Sequence, residues 1–281
     1  MATLYIVSTP IGNLGDITNR AVDVLSSVDR VLAEDTRRTA ILFRRYGITT
    51  PLRSAYAHNE AARAEDTVAW LDAGETLALV SDAGTPTLSD PGLRLVRAAL
   101  DAGHEVVPVP GASALLAALA VSAIETTPFT FYGFPPRGGK ARAERLSEIA
   151  GLAHTAVLYE SPKRLPRLLA DLVESCGGER RAAVARELTK RHETVVRGTL
   201  AELAAYYDGE PIRGEVVVVV DGAGGAAAPE PVAAHALARS LLDAGERPSA
   251  VARTLAERLG LARNEAYSIA LAESEEMGDV D

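Results

Sequence analysis

Up to about residue 125 the chain alternates short apolar runs with stretches of helical periodicity, and that alternation restricts the fold more than any other feature. Leu4 to Ser8, Arg30 to Ala33, Thr76 to Val80 and Glu105 to Val109 read as strands. Helices are expected near Asn19 to Ser26, near Thr39 to Tyr46, after Pro91, and from Ala114 to Ser122. Strands separated by helices pair side by side in parallel, with the helices covering the faces of the sheet, so the class is α/β. From Phe129 a second set begins. Phe129 to Tyr132, Thr155 to Tyr159, Ala182 to Ala185, Glu193 to Arg197 and Glu215 to Val220 read as strands, with helices near Lys140 to Ile149, Leu165 to Ser175 and Leu200 to Tyr206. This set reads as a second α/β domain that becomes hairpin-like toward its end.

The expected organisation is therefore an N-terminal α/β domain over residues 1–122 and a C-terminal α/β domain over 123–222. A linker follows at 223–231, where Gly, Ala and Pro predominate. Three short amphipathic helices, Val232 to Asp243, Pro248 to Leu259 and Arg263 to Glu273, make a small helical module over 232–275, before an acidic tail at 276–281. A chain of 281 residues is long enough for two domains with sizeable cores. The longest weakly polar run, residues 112 to 124, contains Ser113 and Ser122 and is too short to cross a bilayer. No basic segment precedes Leu4-Tyr-Ile-Val7, so no secretory signal is expected and a cytoplasmic location follows. Cys176 is the single cysteine, which excludes intrachain disulfides and cysteine-based zinc sites.

A net charge of −9 argues at first against a nucleic-acid partner. The acidic excess is concentrated at the C-terminus, however, in Glu273, Glu275, Glu276, Asp279 and Asp281. Basic side chains gather elsewhere: Arg37, Arg38, Arg44, Arg45 and Arg53; Arg137, Lys140, Arg142 and Arg145; Lys163, Arg164 and Arg167; Arg186, Lys190 and Arg191.

Ligand-binding potential is densest in the loops that end strands. Ser81-Asp-Ala-Gly-Thr-Pro-Thr-Leu-Ser-Asp-Pro-Gly92 follows a buried strand and precedes a helix, and its small residues allow backbone to approach a small molecule closely. Pro110-Gly-Ala-Ser113 repeats the pattern. The first loop, Ser8-Thr-Pro-Ile-Gly-Asn-Leu-Gly-Asp16, lacks the Gly-x-Gly-x-x-Gly spacing of a dinucleotide site. Gly133 to Lys140 imitates a phosphate loop but carries Phe134 in place of the first glycine and Ala141 where Mg²⁺ binding needs Ser or Thr. No His-Glu-x-x-His exists and the histidines are dispersed, so no metal is predicted.

Taken together, Tyr5-Ile-Val-Ser-Thr-Pro-Ile-Gly-Asn-Leu-Gly-Asp16, Ala33-Glu-Asp-Thr-Arg37, Ser81-Asp-Ala-Gly-Thr-Pro86, Ser89-Asp-Pro-Gly92, Val109-Pro-Gly-Ala-Ser-Ala114, Tyr159-Glu-Ser-Pro-Lys-Arg164 and Ala185-Arg-Glu-Leu-Thr-Lys190 closely resemble the ribosomal branch of the tetrapyrrole methylase superfamily. The resemblance runs from about residue 3 to the end of the chain. It implies a two-domain tetrapyrrole-methylase-like fold with a cleft between the domains, plus the small C-terminal helical module. It also implies a homodimer that moves a methyl group from S-adenosylmethionine to the ribose 2′-hydroxyl of a cytidine in the decoding region of 16S rRNA, free or in the small ribosomal subunit. Family positions for the methyl donor fall on Pro10, Ser81, Asp82, Thr85, Ser113, Ala114, Tyr159 (or Glu160) and Leu188. Ala83 stands where the tetrapyrrole enzymes have proline.

Displacement at a sulfonium methyl carbon chiefly requires that the nucleophile be close and aligned. A ribose hydroxyl also needs a base. The candidates are Asp35, His58 or Glu60, Glu160, Lys163, Glu187 and Lys190, a lysine qualifying only if its pKa is strongly depressed. Arg37, Arg38, Lys163 and Arg164 are candidates for RNA phosphates. Tyr56, Tyr132, Phe134 and Tyr159 are candidates for stacking on a splayed cytosine. The terminal helices resemble a helix-turn-helix.

Overall fold

The computed structural model describes residues 2–209, 212–223, 231–243, 246–259 and 263–278. The chain divides into two compact units, Met1–Asp221 and Gly222–Asp281. In the first unit, β1 (Thr3–Val7), α1 (Asn19–Ser27), β2 (Arg30–Ala33), α2 (Thr36–Tyr46), β3 (Leu52–Ser54), α3 (Glu60–Asp72), β4 (Leu77–Val80), α4 (Leu93–Asp101), β5 (Glu105–Val109) and α5 (Ala114–Val121) follow one another. The strands form a sheet in the order β3-β2-β4-β1-β5, parallel throughout. β4 lies at its centre, with Leu79 opposite both Ile6 and Leu32. All four β4 residues are buried, as a strand covered on both faces requires. Side chains alternate between the faces: Val31, Ala78 and Val80 join one core cluster, and Leu32, Leu77 and Leu79 the other.

β3 and α3 were not anticipated. Leu52-Arg-Ser54 carries one apolar residue, and the buried positions of α3 are Thr67 and Leu71, too few to mark a helical stripe. α2 starts three residues earlier than expected because Asp35 caps it, its carboxylate accepting the Arg37 amide at 2.9 Å.

The second sheet contains β6 (Phe129–Gly133), β7 (Thr155–Glu160), β8 (Arg181–Arg186), β9 (Thr194–Thr199) and β10 (Val216–Val220), in the order β6-β7-β10-β8-β9. β6 and β7 run parallel, and the other pairings are antiparallel. One face carries α6 (Gly139–Gly151), α7 (Leu165–Cys176) and α8 (Leu200–Tyr206). There Leu165, Leu168, Leu169 and Leu172 pack fully buried against Val184, Val218 and Val220. Burial at this level stabilises by about 1.5–3 kcal/mol per leucine. The opposite face receives Leu115, Ala118 and Leu119 of α5 against Val157, Ala183, Val217 and Val219. The crossover helix leaving the first sheet thus supplies the core of the second, which explains why α5 is apolar nearly all round.

In the second unit α9 (Pro231–Asp243), α10 (Pro248–Leu259) and α11 (Arg263–Gly278) have their own core of Ala238, Val251, Leu255, Ala266 and Ala270. Glu273 is buried there between His235 and Arg239. α11 continues past the expected end at Glu273, into the segment expected as tail. Most of the expected linker, residues 224–230, and the last three residues of the tail lie outside the described residues. No described helix is long and apolar enough to cross a membrane.

Candidate functional site

The site is built where the first sheet ends. The loops after β1 and β4 are joined by a backbone pair: Thr9 N donates to Gly84 O at 2.8 Å and Gly84 N to Thr9 O at 3.0 Å. The Thr9 hydroxyl donates to Ser81 O, and the Ser8 and Thr85 hydroxyls lie 3.0 Å apart. The loop after β5 presses on the same knot, for a Cβ added at Gly111 would stand 3.0 Å from that of Ser8. Only small side chains permit three loops this close, which is the physical content of the small-residue pattern. Facing them is the β8–β9 loop, tied to the first loop where Asn13 N donates to Thr189 Oγ1 at 3.0 Å. A Cβ at Gly12 would fall 2.4 Å from Lys190 Cγ, so glycine is needed for this contact. Non-glycine residues stand at positive φ in both opposing loops, Thr87 (74°) and Ser89 (68°) on one side, Glu187 (53°) and Thr189 (68°) on the other. Backbone of this kind costs energy and concentrates at functional sites.

Between these loops lies a cavity of about 350 Å³. The first half contributes Ile11, Ala83, Gly84, Thr85, Leu88, Ser89, Asp90, Ser113 and Ala114; the second contributes Phe134, Tyr159 to Pro162, Ala185, Leu188 and Gly214 to Val217. Tyr159 is held between Phe131 and Phe134, both edge-on at 4.8 and 5.6 Å. Burial raises its hydroxyl pKa. Among the described residues the cavity lining holds three carboxylates, Asp90, Glu160 and Glu215, and no lysine or arginine. Such a lining favours a cationic ligand with apolar parts and disfavours a phosphate.

The carboxylates differ in their neighbours. Burial, followed by the negative charge of Glu34, pushes Asp90 up to about 6, against a smaller opposing effect of the Ser81 hydroxyl. Glu34 itself is raised, first by burial and then by Asp82, and its Oε2 is buried with no hydrogen-bond partner. Glu160 is buried; its Oε1 accepts from Ser161 N at 2.7 Å and pairs with Arg164, while Oε2 has no partner. Across the cavity Lys190 Nζ donates to Glu187 Oε1 at 2.8 Å and Glu215 Oε2 at 2.9 Å. Burial opposes the charge of both Glu187 and Lys190, but their mutual hydrogen bond and the Glu215 contacts outweigh it, lowering Glu187 and raising Lys190.

Of the expected donor-binding residues, Thr85, Ser113, Ala114, Tyr159 and Leu188 line the cavity; Pro10, Ser81 and Asp82 do not. Ser81 is buried and its hydroxyl donates to Ala83 O, shaping the loop from behind. Asp82 accepts the Asp35 amide at 3.0 Å and Arg38 Nη1 at 3.3 Å, tying the end of β4 to that of β2. Of the expected bases, Glu160 lines the cavity, whereas Asp35, Lys163, Glu187 and Lys190 do not. Asp35 is lowered to about 2 by the hydrogen bond from the Arg37 side chain and then by that residue's amide, which leaves a weak base. The raised pKa of Lys190 is the reverse of what a lysine base needs. Glu60 caps α4, accepting the Gly92 and Arg94 amides, and His58 stands edge-on to Tyr56. Lys163 is exposed. Arg37 is 89% exposed and Arg38 60%, each paired with a carboxylate; Arg164 is mostly covered, against Glu160. Arg142, grouped in sequence with a basic cluster, is buried against Asp171 and Pro136 O and belongs to the core. Tyr132 lies under Arg145 and bonds Glu148, outside the cavity. Sequence reasoning missed Asp90 and Glu34 as chemistry-bearing residues, although both stand in the motifs quoted. Their signal was an acidic residue in a loop that ends a strand.

The same fold occurs in solved methyltransferases. The crystal structure of uroporphyrin-III-C-methyltransferase from Thermus thermophilus matches with a TM-score of 0.58 and 20% identity, covering 80% of this chain and 96% of that one. A cobalt precorrin-4 methyltransferase matches at 0.61 and 19%, covering 78% and 94%. At the level of sequence, the family model of the tetrapyrrole (corrin/porphyrin) methylases matches residues 3–204, and the chain belongs to this family. Its relatives include two proteins named ribosomal RNA small subunit methyltransferase I. The one from Synechocystis is 45% identical over 277 residues, 96% of this chain and 98% of that one. The one from Xylella fastidiosa is 46% identical over 267 residues, 94% and 97%.

Proposed function

We propose that this protein is an S-adenosylmethionine-dependent methyltransferase that modifies the ribose 2′-hydroxyl of a cytidine in the decoding region of small-subunit ribosomal RNA. The observation that carries the donor half is the cavity, apolar over much of its wall, with three carboxylates and no cation in its lining among the described residues. Bound there, S-adenosylmethionine would supply an electrophilic methyl group on a positively charged sulfur. Asp90, which has no ion-pair partner among the described residues, is placed to favour that charge, and Ile11, Leu88 and Leu188 to cover the apolar parts. The substrate half is supported by the names of the relatives that match nearly the whole chain. Arg37 and Arg38, exposed at the start of α2, offer cations to a phosphate backbone close to the loops that build the cavity. A cytoplasmic location and a homodimer belong to the same reading, the latter testable by light scattering of the purified chain.

The decisive test supplies methyl-labelled S-adenosylmethionine with unmethylated small subunits, free 16S rRNA and a porphyrinoid, followed by nucleoside digestion. Label recovered as 2′-O-methylcytidine supports the reading. Label on a base, or only in the porphyrinoid, overturns it.

A further inference from the structure

We propose that Asp90 is the base that takes the proton of the attacking ribose hydroxyl, and that Glu34 is a positioning residue acting through it. The inference rests on the reading of ribose methylation above and goes beyond it by naming the proton acceptor. Three carboxylates line the cavity, and two of them have cation partners: Glu160 pairs with Arg164, and Glu215 with Lys190. Asp90 has no ion-pair partner among the described residues. The groups that act on it are Glu34, Asp82 and the Ser81 hydroxyl, and it acts in turn on Tyr159, which lines the same cavity. Arg38, whose charge also reaches Glu34, pairs with Asp82, and Arg37 pairs with Asp35.

The backbone fixes where Asp90 sits. Thr87 and Ser89, just before it, are held at φ 74° and 68°. Just after it, Gly92 N is pinned by Glu60 Oε1 at 2.9 Å. A loop held at both ends in this way presents one carboxylate at one place, which a base needs more than strength.

In the step, the hydroxyl oxygen forms its bond to the methyl carbon as the bond from that carbon to sulfur breaks. The bonding pair stays on sulfur, which becomes a neutral thioether, and the hydroxyl proton passes to the Asp90 carboxylate and later to water. The acceptor must be ionised at working pH and still basic, and a carboxyl near 6 meets both conditions where an ordinary aspartate is too weak. Glu34 contributes by its negative charge, which disfavours the ionised form of Asp90 and so makes it a stronger proton acceptor.

The experiment measures kcat and the pH dependence of kcat/KM on unmethylated small subunits, with S-adenosylmethionine affinity by calorimetry, for the wild type, Asp90→Asn, Asp90→Glu and Glu34→Gln. Asp90→Asn is expected to lower kcat at saturating donor by about 10²–10⁴-fold, while donor binding weakens but stays measurable by calorimetry. Glu34→Gln is expected to shift the acid limb of the profile to lower pH, because a negative neighbour of Asp90 is removed. Asp90→Glu retains a carboxylate, so it keeps an acid limb with reduced kcat, and it carries the test should the asparagine variant fail to fold. An Asp90→Asn enzyme that binds donor and turns over within threefold of wild type overturns the proposal, as does a folded Asp90→Glu with wild-type kcat. An acid limb unmoved in Glu34→Gln removes Glu34 from it. A wild type that forms no 2′-O-methylcytidine defeats the underlying reading instead, so the two failures are distinct.

Discussion

The two sides of the cavity present the same kind of side chain and treat it oppositely. On the first-sheet side, Asp90 and Glu34 stand beside other carboxylates and are pushed toward the neutral form. On the second-sheet side, Glu187 and Glu215 share Lys190, which helps hold Glu187 charged. Neutralised carboxylates brace a loop, while uncompensated ones store an electrostatic cost that a cationic ligand can relieve. The contrast assigns chemistry to one wall and support to the other.

The most severe way to break it is to reverse the charge on the chemical side. Asp90→Lys places an ammonium where a sulfonium would bind. Two unit charges about 4 Å apart at an effective dielectric near 20 interact by about 4 kcal/mol, so S-adenosylmethionine affinity should fall by about 10³-fold in calorimetry. A loss below tenfold would mean that the cavity's charge is not what selects its ligand.

Stability against pH should run in opposite senses on the two sides. A carboxyl raised from 3.8 to about 6 keeps its proton longer in the folded state, so this group's contribution to stability falls as pH rises from about 4 through about 6. A shift of that size corresponds to about 3 kcal/mol, reduced by solvent screening of a partly exposed group to about 1–2 kcal/mol. Asp90→Asn should therefore be more stable than wild type by that amount at pH 8 and equal to it at pH 4, as urea titrations would show. Such a gain at the expense of turnover is the usual relation between stability and an active-site charge. Glu187 behaves the other way. Its pKa is lowered, so its contribution is full above the unfolded value and is lost as pH falls through the folded one. Glu187→Gln should cost about 1 kcal/mol at pH 7, a cost that fades as pH falls through the folded value. Equal pH profiles for the two variants would erase the distinction between the walls.

Much of this architecture was legible in the sequence because it rests on local patterns. The valines of β10, buried at every position, announce a central strand, and Ser113 followed by an apolar octet announces a capped, buried helix. The site loops were legible for the same reason, since close approach leaves only Gly, Ala, Ser and Thr as options. What stayed hidden was pairing across long sequence distances. Nothing near Lys190 says that Glu215 will meet it, and nothing near Asp90 says that Glu34 will stand behind it. Those contacts arise from parallel neighbours β2 and β4 ending together, and from β10 returning beside β8. The base candidate Lys190 is charged in part by such a distant partner, whereas Asp35 is lowered by its own neighbour Arg37. α3 was invisible because a helix that buries Thr67 and Leu71 presents no stripe to read.

The finest test of the comparison lies in the strained backbone that both walls share. Thr87 and Thr189 occupy nearly the same left-handed conformation, φ 74° and 68°, which costs a β-branched residue about 1–2 kcal/mol. Glycine removes that strain but loses about 0.5–1 kcal/mol of chain entropy, so Thr87→Gly should raise stability by about 0.5 kcal/mol. At Thr189 the hydroxyl also accepts the Asn13 amide at 3.0 Å, a bond between the two opposing loops worth about 1 kcal/mol. Thr189→Gly gains the same relief and loses that bond, so it should be less stable than wild type by about 0.5 kcal/mol. Paired unfolding curves resolve a difference of this sign. If both glycines stabilise equally, the Asn13 contact contributes nothing and the supporting role of the second wall rests on Lys190 alone.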